Sequence, residues 1–134
     1  MVNFANNIHN KNMASKIRVT KEFTFEMAHA LCNYDGPCRN VHGHSYRLFV
    51  TLTGTPIIDH EHPKNGMVID FTDLKQIVKK VIVDVFDHSL VVSKAYDNEK
   101  QKIFMKTFGN TIIVDYQPTC ENLVADFALR IKSS

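Results

Sequence analysis

The sequence predicts an α+β domain built on an antiparallel sheet with helices packed on one face. Three observations lead there. Two long stretches alternate with period two, one stretch carries helical spacings of three and four, and the element order reads β-β-α-(α)-β-α.

Residues 17–29, IRVTKEFTFEMAH, open the series. Val19, Phe23, Phe25, Met27 and His29 share one face, and Thr20, Glu22, Thr24 and Glu26 share the other, the pattern of a half-buried strand. A loop follows over 30–41, broken by Gly36-Pro37. Residues 42–53, HGHSYRLFVTLT, alternate again, and their β-branched and aromatic content supports a second strand that ends at Gly54 and Pro56. After a polar turn region at 55–66 and a short extended piece, Leu74, Ile77, Val78, Val81, Ile82 and Val85 mark an amphipathic helix over 72–86. Residues 87–110 read as short helical pieces and loops. TIIVD at 111–115 reads as a third strand, and Pro118-Thr119 starts a helix with Leu123, Phe127 and Ile131 on one stripe and Glu121 in its first turn.

Composition narrows the function classes. At 134 residues the chain fits one domain. The formal charge is +2 with scattered Lys and Arg, which gives no nucleic-acid footprint. No apolar run approaches the ~18 residues of a membrane span. The first fifteen residues are polar and Asn-rich without a hydrophobic segment, so residues 1–15 read as a loose extension and the folded domain is expected over 16–134. Three cysteines, Cys32, Cys38 and Cys120, with no secretion signal point to a reducing cytoplasm rather than a disulfide framework.

The His42-Gly43-His44 triplet is the sharpest chemical signal. Residues i and i+2 of a strand project to one face, so both imidazoles can reach one ion, and Gly43 is expected to leave room for it. His29 closes the apolar face of the preceding strand. If the two strands pair as a hairpin, the three histidines converge, and three neutral nitrogens with an open fourth position make a catalytic type of zinc site. A finger-like set of Cys32, Cys38, His42 and His44 is the alternative, although its spacing matches no common finger. Cys38 stands four residues before His42, where a thiol beside a dication becomes a usable base; a small packed loop residue is the equal alternative. Asp87-His88 is a candidate acid–base pair, weak as a dipeptide alone. His9, His60 and His62 lie in polar stretches and read as solvated.

FTFEMAHAL around His29, CRNVHGHSYRLFVTLTG, GMVIDFTDLK, FDHSLVV and PTCENLVADFALRI together resemble the 6-pyruvoyl- and 6-carboxy-tetrahydropterin synthase family over residues 20–131. The resemblance implies a tunnelling fold assembled into an oligomeric barrel, a homo-trimer or homo-hexamer, and a zinc-dependent lyase acting on 7,8-dihydroneopterin triphosphate. It implies His29, His42 and His44 as Zn2+ ligands, Cys38 as the catalytic cysteine, Asp87 and His88 as a relay pair, and Thr119 and Glu121 near the pterin. A cysteine four positions before His-Gly-His resembles the bacterial 6-carboxy branch of queuosine biosynthesis, which releases acetaldehyde and triphosphate; the pyruvoyl branch eliminates triphosphate only. The resemblance also implies a further strand with a pterin-anchoring Glu, which does not occur before Ser134. A zinc-binding relative without turnover is the rival from another class.

Overall fold

The computed structural model describes residues 15–134, so the expected extension lies outside the described residues except at its last position. β1 (Ile17–Ala30) and β2 (His42–Gly54) form the expected antiparallel hairpin, in register from Ile17 opposite Gly54 to His29 opposite His42. Alternation decides the register: a slip of one residue would turn Phe23, Phe25 and Met27, all buried, toward solvent.

Asp70 caps the first helix by accepting from the Thr72 amide at 2.7 Å. α1 (Phe71–Val78) runs through a π-helical stretch (Lys79–Val83) into α2 (Asp84–Phe86). Leu74, Val78, Ile82 and Phe86 are all buried. Their strict spacing of four would drift around an ideal helix of 3.6 residues per turn, and the wider π turn brings the stripe back over the sheet. α4 (Cys120–Lys132) packs beside it, with Phe127 edge-on to Phe86 at 4.9 Å and to Phe25 at 6.0 Å between ring centroids.

Two expectations are corrected. Residues 89–93 form a strand, β3 (Ser89–Ser93), that pairs parallel with both β1 and β4 (Thr111–Val114). The sheet order is β2-β1-β3-β4, so the sheet is mixed rather than antiparallel. β3 is buried at every position. A central parallel strand covered on both faces carries an apolar run without alternation, and five residues of it do not announce a strand. The helices also occupy both faces. α3 (Asn98–Thr107) lies on the far side, where Phe104 and Tyr96 cover Leu90, Val92 and Ala30, opposite the larger core of Phe25, Val91 and Phe127.

Candidate metal centre and its surroundings

Strand parity and the hairpin register bring His29, His42 and His44 to one end of the sheet, on the face of the larger core. One ligand atom from each lies within 4.8 Å of the others. No cysteine belongs to this group, so the finger-like set is not gathered there. Cys32 is buried and both polar groups of its backbone are bonded to Gln117.

The hydrogen bonds assign the tautomers. His29 Nδ1 lies 2.6 Å from the Pro118 carbonyl and His42 Nδ1 lies 2.7 Å from the Asn40 carbonyl. A carbonyl only accepts, so both Nδ1 atoms donate, and in the neutral rings both Nε2 atoms carry bare lone pairs. Those two Nε2 atoms face each other at 3.0 Å. A proton between them would make one ring an imidazolium. Burial is the main influence holding His29 below the ordinary imidazole pKa, and repulsion from His42 and His44 adds to it, against the Pro118 carbonyl. The donor set therefore fits a cation: Zn–N bonds of ~2.0–2.1 Å reach two nitrogens at that separation, and ligand histidines typically donate their other nitrogen to a carbonyl.

Gly43 has a different role from the expected one. Its open position faces the other side of the sheet, and a Cβ there would touch only the Met27 carbonyl at 3.8 Å. The room for an ion comes from the hairpin register. Tyr46 continues the His42, His44 face. Its ring lies 5.7 Å from that of His44 and stacks on Phe25 at 5.2 Å. Among the described residues its hydroxyl is buried without a hydrogen-bond partner, and burial pushes its pKa to about 12, so it stays neutral. Parity alone could have marked Tyr46 as the next residue of the site.

Cys38 lies half-buried in a short 3-10 turn (Pro37–Arg39) of the loop between β1 and β2, and its carbonyl accepts from the Leu31 amide at 2.9 Å. Asp87 and His88 do form a pair, with Nδ1 to Oδ2 at 3.0 Å. Asp87 is anchored by the Glu26 amide at 2.9 Å, the main reason its carboxyl sits below the usual range. His88 has φ +56 and donates its amide to the Glu26 carbonyl at 2.6 Å. A non-glycine residue in this region is strained, and such strain gathers at functional positions.

His88 lines an open groove of about 660 Å³ with Glu26, Ala28 and Ser45, whose side chains take the face opposite His29 and His42, and His44 borders the same groove. No hydrogen bond among the described residues joins the pair to Cys38 or to the trio. Thr119 is the N-cap of α4, accepting from the Asn122 amide, and Glu121 stands exposed in the first turn.

Residues 18–134 match the family described as 6-pyruvoyl tetrahydropterin synthase. The chain belongs to that family. Within the family it is 40% identical over 121 residues to the 6-carboxy-5,6,7,8-tetrahydropterin synthase of Haemophilus influenzae, covering 86% of this chain and 82% of that protein. It is 31% identical over 107 residues to the protein of the same name from Rickettsia felis, covering 80% and 74%. Among solved structures, the Caenorhabditis elegans 6-pyruvoyl tetrahydropterin synthase superposes with a TM-score of 0.61 at 25% identity, over 89% of this chain and 79% of that one. An uncharacterized Wolinella succinogenes protein shares the fold at a TM-score of 0.64 and 20% identity, over 88% and 83%. The family's mixed α+β architecture is thus the one this sequence adopts, and no described helix is long and apolar enough to cross a membrane.

Proposed function

We propose that the protein is a zinc-dependent 6-carboxy-5,6,7,8-tetrahydropterin synthase. It converts 7,8-dihydroneopterin triphosphate and water to the 6-carboxy product, acetaldehyde and triphosphate. The observation that carries this reading is the convergence of imidazole nitrogens from His29, His42 and His44, with backbone carbonyls holding His29 and His42 in the tautomer that bares Nε2. The 40% identity to the Haemophilus influenzae protein favours the carboxy product over the pyruvoyl one.

His29, His42 and His44 hold the ion, and Pro118 and Asn40 keep the first two in their ligating tautomer. A dication at that position supplies Lewis acidity toward the oxygens of the substrate side chain, which eases removal of a proton from an adjacent carbon. Cys38, as thiolate, takes that proton. Asp87 orients His88, which returns or carries a proton. Thr119 and Glu121 stand at the start of α4, next to the Pro118 that braces His29, and are assigned to the pterin. Because His88 is bonded to neither Cys38 nor the trio within one chain, its partner site is assigned to a second copy of the chain, in a homo-trimer or homo-hexamer. The medium is the cytoplasm.

Incubation with dihydroneopterin triphosphate and identification of the pterin product tests the reading. The carboxy product with acetaldehyde supports it, a pyruvoyl product moves the protein to the sister activity, and no turnover by the metal-loaded protein overturns it.

The relay has its own test. His88→Ala should lower turnover by about 10²-fold or more with metal content unchanged. Asp87→Asn should cost less, because its amide oxygen can still accept from the Glu26 amide while the charge beside His88 is lost. Mixing His88→Ala and Cys38→Ala subunits, each inactive alone, should restore part of the activity if the site is shared. Parent rates in both single variants would make the pair structural.

A further inference from the structure

Gln117 has no place in the chemistry above, yet its side chain makes two bonds to a single distant residue. Its Oε1 accepts from the Cys32 amide at 3.0 Å and its Nε2 donates to the Cys32 carbonyl at 2.7 Å. The Gln117 backbone is itself held from α4, its carbonyl accepting from Asn122 Nδ2 at 2.9 Å and from the Thr119 amide at 2.8 Å. The residue after it, Pro118, supplies the carbonyl that fixes His29. The residue before Cys32, Leu31, donates its amide to the Cys38 carbonyl. One side chain thus joins the segment that braces a metal ligand to the loop that carries the thiol.

We propose that Gln117 is a positioning residue: by gripping both polar groups of the Cys32 backbone, it sets the Cys38 loop in register with His29. An amide is suited to this because it offers one donor and one acceptor in a plane, matching the N–H and C=O of one residue. Neither Ala nor Met can replace either bond. Glu can replace only the acceptor, and its second oxygen would face the Cys32 carbonyl. The 31–41 loop has no other side-chain tie to the β4–α4 segment among the described hydrogen bonds, so loosening should spread along it.

The inference rests on the proposed synthase activity only for its kinetic arm. Residue-resolved amide hydrogen exchange on the full chain, with and without Zn2+, is the primary test. In Gln117→Met, exchange should accelerate at Cys32 and also at Leu31, whose amide Gln117 does not touch; in Gln117→Glu, which still accepts from the Cys32 amide, Leu31 should again exchange faster while Cys32 is affected less. Faster exchange at Cys32 with parent protection at Leu31 would confine the clamp to one residue and overturn the proposal. Peptide-resolved alkylation should likewise find Cys38 reacting several-fold faster, and an unchanged rate would count against the proposal. In turnover, both variants should keep one metal per chain and lose about tenfold or more in kcat with KM little changed, since small misplacements of a reacting group are costly. A KM rise at constant kcat would make Gln117 a binding residue instead. If the parent protein itself does not act on the pterin, the exchange and alkylation results still decide the role of Gln117. Melting curves on both variants show whether they fold; should Gln117→Met fail, Gln117→Glu retains one of the two bonds.

Discussion

His42→Ala should lose its metal, with affinity falling by more than about 10²-fold and little or none retained after dialysis. Disturbing only the outer partners of metal ligands typically costs 10–100-fold, and this change removes a ligand outright. The described site offers no substitute: the group contains three histidines and no cysteine or carboxylate. Deletion of the His42 ring also leaves His29 Nε2 without its 3.0 Å neighbour. The change is otherwise mild for the fold, because His42 is only half-buried and its backbone pairing with His29 survives. His60→Ala, on an exposed turn, serves as the control and should bind metal like the parent. Metal content by mass spectrometry and competition with a chelator read the result. Added Zn2+ should also raise the melting temperature of the parent, because a ligand bound only by the folded state stabilises it by RT ln(1 + [L]/Kd). His42→Ala should show no such rise. Full metal retention would remove His42 from the ligand set.

The convergence of the three histidines was legible because it depends on parity and register alone. His42 and His44 had to share a face, and the apolar alternation of β1 left His29 only one face to occupy. What surrounds the trio was hidden, since it rests on main-chain groups. The carbonyls of Pro118 and Asn40 carry no side-chain signature, and Pro118 lies 89 residues from His29 in sequence. The Gln117 clamp spans 85 residues and was equally silent. β3 was missed for the opposite reason. Its side chains are so uniformly buried that no period distinguishes strand from helix, and Asp87-His88 before it suggested chemistry rather than a strand start. Missing that strand also hid the parallel pairing, and with it the placement of α3 on the far face, where the His88 groove opens.

Cys38→Ala should keep its metal and lose most of its turnover, by about 10²–10⁴-fold, the usual contribution of a well-placed proton-transfer group. Cys38 lies outside the group of converging ligand atoms, so metal content should remain near the parent value. The substitution should also spare the loop, because the tie at this position is the Cys38 carbonyl accepting from Leu31, which alanine retains. The competing reading makes Cys38 a small packed residue of its 3-10 turn, and that reading predicts parent-like rates in the alanine variant. Cys38→Ser sharpens the contrast. Serine keeps the size and the hydrogen-bonding capacity, but a hydroxyl gives up its proton far less readily than a thiol, so it makes a poor base without a partner to activate it. The serine variant should therefore be as slow as the alanine variant if the thiolate removes a proton. Substantial rescue by serine would assign Cys38 a hydrogen-bonding role, and loss of metal in either variant would place its sulfur among the ligands after all.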